Sequence, residues 1–216
     1  ISSCEKIFCY SKEIKKFPGK FKNKIYLTSP LLRKEFYSTK VSGDIVKEVN
    51  LLIIGGSQGA KLFDTLIKES IVKLSEKYKL KIFHQTSFSN YSDLKNFYSQ
   101  KKIISELFDF KQDVSSFMGK SNICITRAGA STLAELVFLN VPHIAIPLPG
   151  AKDNHQFENA FFYQKLGCNW ILKQNEINNK NLTDKLINII ENKEEYLDKK
   201  KNMKNFNYQN TWNNIN

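Results

Sequence analysis

Between Asn122 and Ala160 the chain reads NICITRAGASTLAELVFLNVPHIAIPLPGAKDNHQFENA, and few folds accommodate that order of residues. The apolar run Asn122–Thr126 is, by length alone, either a strand or a piece of buried helix. Arg127-Ala128-Gly129-Ala130-Ser131 breaks it with residues small enough for close backbone approach. Thr132-Leu133-Ala134-Glu135 has the spacing of a capping box, which puts a helix start at Thr132. His143–Pro147 reads as the next strand, and Asp153-Asn154-His155-Gln156 follows a Pro/Gly-rich loop at the head of another helix. A strand feeding a helix N-terminus is a natural anion site, because unpaired amides and the helix dipole both favour negative charge.

The alternation extends in both directions. Val49–Ile54 is a continuous apolar run of the kind buried on both faces of a parallel sheet. Gly55-Gly56-Ser57-Gln58-Gly59-Ala60 turns the chain, and 61–78 has helical periodicity. Further strands are expected at Leu80–Phe83, Ile103–Phe108 and Asn169–Leu172, and helices at Ser92–Tyr98, Asp113–Gly119 and Gln156–Leu166. Residues 182–203 carry two helix patterns, the first capped near Asn181. The expectation is an α/β fold: a Rossmann-like parallel sheet with helices on both faces. Lys6–Tyr10 and Lys24–Thr28 look like closing strands of a domain that starts upstream, since the chain opens on Ile1 and reads as the later part of a longer protein. The division expected is 1–35 for those strands and a connection, 36–200 for the main domain, and 201–216 for a tail helix.

Ligands of such sheets lie outside the carboxyl ends of the strands. Ser57, His84, Phe110, Arg127 and the 153–159 segment all fall just after a predicted strand, which argues for one pocket holding a phosphate-bearing ligand. A formal charge of +12 suits an anionic partner, or reflects a Lys-rich, Asn-rich habit of composition. No basic block interleaves with aromatics, so no nucleic-acid partner is expected. The 4 Cys show neither CxxC pairing nor zinc spacing. No metal site is expected, and free thiols suit a reducing, cytosolic compartment. No signal peptide opens the chain, and no apolar run approaches the roughly 18 residues of a membrane span.

The Gly55–Ala60 turn (GGSQGA), the Arg127–Glu135 run (RAGASTLAE) and Asp153–Ala160 (DNHQFENA) resemble the MurG family. That family moves N-acetylglucosamine from UDP-N-acetylglucosamine onto lipid I, making lipid II for peptidoglycan. The resemblance implies that this chain is the C-terminal, donor-binding domain of a two-domain GT-B transferase. It implies an interdomain role for Arg33, at the end of a TSPLLR segment. Ser57, with Gln58 beside it, would meet the donor diphosphate. Ala130, Ser131 and Thr132 would offer amides to a phosphate, Thr132 its hydroxyl as well. Glu135 would accept the ribose hydroxyls, His155, Gln156 and Asn159 would contact the sugar, and Phe110 and Lys111 would hold uracil. It implies no cofactor, a general base in the other domain, and hence no catalysis by this chain alone. The partners implied are lipid I and the inner face of the cytoplasmic membrane.

The same residues have plainer readings. Thr132 and Glu135 make a cap and nothing more, Arg127 is an ion-pair partner rather than a ligand contact, Phe110 is core, and Lys199-Lys200-Lys201 is a solvated helix face. Other functions compatible with the sequence are a noncatalytic UDP-sugar-binding subunit, another glycolipid transferase or UDP-sugar epimerase of the same fold, and a basic nucleic-acid module.

Overall fold

Strand β3 (Glu48–Ile54) explains its own apolar sequence by having a core on each side. Successive strand side chains point to opposite faces. Val49, Leu51 and Ile53 therefore join one hydrophobic cluster, while Leu52 and Ile54 join another. The computed structural model describes residues 2–9, 14, 17–56, 60–110 and 113–206.

Around β3 lie β4 (Lys79–Gln85), β5 (Ile104–Phe108), β6 (Ile123–Thr126), β7 (His143–Ala145) and β8 (Asn169–Ile171). All pair in parallel, in the order β5-β4-β3-β6-β7-β8. The chain builds outward from β3 on one side, then returns to add β6, β7 and β8 on the other. The reversal falls between β3 and β6, where doubly wound sheets open a crevice for ligands.

Helices cover both faces. Helices α1 (Ala60–Leu66), α2 (Lys68–Lys77), α3 (Phe88–Gln100) and α7 (Asn179–Glu191) bury Phe63, Ile67, Ile71, Leu74, Leu94, Leu182 and Leu186 on the Leu51 side. On the Leu52 side, α4 (Val114–Gly119) and α5 (Ala130–Phe138) pack with Leu32 and Phe36. A third cluster joins α5, α6 (His155–Lys165) and α8 (Lys193–Lys204) through Leu133, Val137, Ala160, Tyr163 and Met203. Upstream, β1 (Ile7–Cys9) and β2 (Ile25–Leu27) form a separate parallel pair with Phe8, Tyr26 and Leu27 exposed. Among the described residues no helix is long and apolar enough to cross a membrane.

Four expectations need correction. The helix after β6 starts at Ala130, with extended Gly129 at its N-cap and no side-chain cap. Thr132 is thus inside the first turn and Glu135 inside the second, so no capping box forms; the T-x-x-E spacing fits two registers, and the small-residue turn selects the earlier one. The 61–78 periodicity is two helices, parted at Ile67 (φ −103°, ψ −6°), whose side chain stays buried across the break. The cap of α7 is Asn178, with Asn181 closing a reciprocal box at N3. Finally, Lys199 and Lys200 are not on a solvated face. The Lys199 ammonium lies over the Trp170 ring at 4.6 Å, and Lys200 pairs with Asp44, so both side chains are mostly covered.

Candidate functional site

The crevice between β3 and β6 begins with two turns. After β3, Gly56 takes φ +63°, a conformation that side chains other than glycine's rarely adopt. Its N–H donates to Gln85 Oε1 at 3.2 Å, which ties the turn to the end of β4. Ser57 and Gln58 lie outside the described residues, as does Lys111.

After β6, the Arg127 amide donates to Ile54 O at 3.2 Å, so the second turn is locked to the first. The chain then enters α5. Gly129 and Thr132 are half-buried while Ala130 and Ser131 are exposed, so the unpaired amides of this helix end face solvent from the sheet's carboxyl edge. The chemistry available there is anion binding by fixed backbone dipoles.

Two side chains of α6 reach the same turn. Gln156 Oε1 accepts from the amides of Ala128 (3.3 Å) and Leu148 (3.0 Å), and Asn159 Nδ2 donates to Ala128 O at 3.0 Å. Those contacts use the oxygen of Gln156 and the nitrogen of Asn159. Among the described residues, the Gln156 amide nitrogen and the Asn159 oxygen have no such backbone duty. Asp153 and Asn154 enter α6 with φ of 52° and 55°, a left-handed pair that Asp and Asn tolerate better than most residues. His155 is exposed, and its Nδ1 lies 2.8 Å from Lys152 O. Phe110 is 44% exposed, which removes the reading of it as core.

Glu135 points away from the cap it was expected to form. Its two oxygens accept from Arg33 Nε (2.8 Å) and Nη2 (3.1 Å). Arg33 also lies over the Phe36 ring and stays half exposed, whereas Glu135 is buried. Burial pushes the Glu135 carboxyl above its ordinary value, and the bonds from Arg33 offset that only in part. The same pair raises Arg33, chiefly through its bonds to Glu135.

Arg127 is 7% exposed and lies behind the surface. Its Nη1 donates to the carbonyls of Ile146 (3.2 Å) and Pro147 (3.3 Å), its Nη2 to Gln174 Oε1 (2.7 Å), and its guanidinium covers Phe63. Among the described residues it pairs with no acid. His84, expected at the pocket, is instead inside β4 and fully buried. Tyr98 OH lies 2.8 Å from its Nδ1, and Asp64 Oδ1 lies 3.2 Å from its Nε2 without hydrogen-bond alignment. Burial lowers the basicity of His84 and keeps the ring neutral. Asp64 also accepts from Thr86 (2.9 Å) and Asn90 (2.7 Å). Burial pushes the Asp64 carboxyl up, but the adjacent His84 ring and the bonds from Asn90 and Thr86 together outweigh it and hold the group below its usual value.

Arg33, Arg127, Ala130, Ser131, Thr132, Glu135, Gln156 and Asn159 therefore gather around one turn and one helix end, whereas no described contact ties His155 or Phe110 to them. Gln85, Gln174 and Asp64 were missed. The polar sequence closing the apolar β4 was a signal for Gln85; Gln174 sits in a polar stretch that carries none, and Asp64 is a lone acid between Phe63 and Leu66.

Residues 50–212 match the family described as glycosyltransferase family 28 C-terminal domain. Over all 216 residues the chain is 62% identical to a Pelagibacter ubique (strain HTCC1062) protein, of which it covers 61%. That protein is named UDP-N-acetylglucosamine–N-acetylmuramyl-(pentapeptide) pyrophosphoryl-undecaprenol N-acetylglucosamine transferase. A Rickettsia bellii (strain RML369-C) protein of the same name is 37% identical over 195 residues, 87% of this chain and 55% of that one. The chain thus spans little more than half the length of these relatives. The crystal structure of Acinetobacter baumannii MurG superposes with a TM-score of 0.69 at 24% identity, covering 84% of this chain and 55% of that one, a likeness of fold.

Proposed function

Because this chain belongs to the glycosyltransferase family 28 C-terminal domain family, we propose that it is the donor-binding part of an inverting transferase that moves N-acetylglucosamine from UDP-N-acetylglucosamine to lipid I, forming lipid II. The observation that carries this reading is the exposed N-terminus of α5, set against the glycine turn at the reversal of the sheet. Breaking the bond between the anomeric carbon and UDP moves negative charge onto the diphosphate. The amides of Ala130, Ser131 and Thr132 and the Thr132 hydroxyl are held there before the reaction, so they stabilise that charge without reorganising. Ser57 and Gln58 would approach from the β3 turn, and Phe110 and Lys111 would flank the base.

Glu135 lies in the second turn of the same helix, where a carboxylate would receive ribose hydroxyls. Each of its oxygens has a second lone pair beyond the one Arg33 uses, so ribose binding and the ion pair are compatible. Gln156 and Asn159 would turn their spare nitrogen and oxygen to sugar hydroxyls, with His155 at the rim. The general base for the acceptor hydroxyl would come from the rest of the longer protein. The lipid acceptor would bring the enzyme to the inner face of the cytoplasmic membrane.

Calorimetric titration of the chain with UDP, UDP-N-acetylglucosamine, ADP and NAD tests the reading. The uridine compounds are expected to bind and the adenine ones not. Equal binding of ADP and UDP, or of neither, would overturn it.

A further inference from the structure

Beyond the ladder bond from the Ile146 amide to Thr126 O (2.7 Å), the next two amides of β6 and β7 go to a side chain instead. Gln156 Oε1 accepts from Ala128 at 3.3 Å and from Leu148 at 3.0 Å. Both donors are backbone N–H groups, so the acceptor is the oxygen of Gln156 and not its nitrogen. The amide nitrogen is left on the other side of the side-chain plane, where the donor-binding reading puts the sugar. How that nitrogen is aimed therefore depends on how the two backbone amides are held.

Each amide belongs to a trans peptide, whose carbonyl points the opposite way. The carbonyl of the first, Arg127 O, accepts from Thr126 Oγ1 at 2.9 Å. The carbonyl of the second, Pro147 O, accepts from Arg127 Nη1 at 3.3 Å. Thr126 and Arg127 are both buried. Arg127 is anchored in turn by Ile146 O (3.2 Å), by Gln174 Oε1 (2.7 Å) and by the face of Phe63, which belongs to the cluster on the Leu51 side of the sheet. What Arg127 does for the sugar therefore runs through the peptide it holds. Both peptides are pinned at each end, by Gln156 on the N–H and by a buried side chain on the carbonyl. A peptide is planar and turns as a unit, so freeing its carbonyl lets its N–H swing, and Gln156 with it.

We propose that Thr126 and Arg127 are positioning residues for donor-sugar recognition, fixing the two peptides that aim Gln156. The proposal rests on the donor-binding reading above. Titrating the parent chain, Thr126→Val and Arg127→Met with UDP, UDP-N-acetylglucosamine and UDP-N-acetylgalactosamine tests it, each substitution also being made in a Gln156→Ala background. Thr126→Val keeps the shape of the side chain and removes the hydroxyl, so it reads the same device should Arg127→Met fail to fold. The preference for the N-acetylglucosamine compound is expected to fall about two- to tenfold in each single variant, the worth of one ill-set hydrogen bond. In the Gln156→Ala background neither substitution should lower it further. A preference left intact in Thr126→Val, with UDP and both sugar nucleotides weakened alike or not at all, would overturn the proposal. A further fall in the Gln156→Ala background would overturn it too, since the effect would not pass through Gln156. If Gln156→Ala itself keeps the parent's preference, the proposal falls while UDP binding leaves the donor-binding reading standing; a parent chain that binds none of the three removes both.

Discussion

Glu135 takes a forked pair of hydrogen bonds from Arg33, a residue 102 positions earlier in the chain, at 2.8 and 3.1 Å. One partner is buried and the other half exposed, so the two do not contribute alike. Arg33 sits between the buried Leu32 and Phe36 on the segment after β2, and Glu135 on the helix that edges the crevice. The pair therefore fastens the upstream connection to the lip of the candidate site. Arg33 offsets part of the upward push that burial gives the Glu135 carboxyl.

Removing either partner should therefore cost different amounts. Arg33→Ala leaves a buried carboxylate alone and is expected to lower stability by about 1–3 kcal/mol, less than for a fully buried pair because water reaches Arg33. Glu135→Ala exposes no uncompensated buried charge and should cost less. Urea unfolding of both single variants and the double variant gives the coupling; coupling near zero would show that the fork contributes nothing measurable.

The same carboxylate should read the sugar of the nucleotide. If Glu135 accepts the ribose hydroxyls, Glu135→Ala weakens UDP-N-acetylglucosamine binding by about 1–3 kcal/mol, the range for hydrogen bonds to a charged group. It also erases any preference for UDP over 2′-deoxy-UDP. Titrating both ligands against parent and variant decides the matter, because a variant that still prefers UDP has its ribose contact elsewhere.

Gln156 has two duties that one substitution separates by readout. Its oxygen bridges the amides of Ala128 and Leu148, so Gln156→Ala leaves both without that acceptor and should lower stability by about 1–3 kcal/mol. Its spare amide nitrogen would face the sugar, so the same variant should discriminate less between UDP-N-acetylglucosamine and UDP-N-acetylgalactosamine. Destabilisation with discrimination intact would assign Gln156 to the scaffold alone.

The sheet was legible in the sequence because its strands are apolar on both faces and each ends in a small or polar break. Val49–Ile54 and Asn122–Thr126 were placed to within a residue for that reason. Local pattern also placed Asn159 and Gln156 near a strand end. What it did not contain was any contact made across the chain. Glu135 looked like a cap partner because its spacing from Thr132 is local, while its true partner Arg33 is not. Arg127 read equally as an ion-pair partner and as a ligand contact, and nothing local announced the Ile146, Pro147 and Gln174 oxygens it bonds. His84 sat in a strand-ending polar run, and only the arrival of Asp64 from α1 and Tyr98 from α3 shows that the ring faces inward.

The last prediction concerns acid stability and follows from His143. This ring is fully buried in β7, its Nδ1–H donates to Val141 O at 3.0 Å, and its Nε2 has no partner. Burial, with the Lys199 amine and the Val141 bond as smaller influences, brings its pKa down from 6.5 to about 4. Between those values the unfolded chain binds a proton that the folded chain refuses. Stability is therefore unaffected above about pH 6.5 and falls as the pH drops from there toward 4, by roughly 3 kcal/mol in all. His84 is also held neutral by burial and acts in the same direction, so the parent's slope contains both. The difference between parent and His143→Gln isolates the one ring. Unfolding free energies measured from pH 7 to pH 4 should converge as the pH falls, the parent losing more than the variant. Parallel curves would mean that His143 takes up its proton in the folded chain as readily as in the unfolded one.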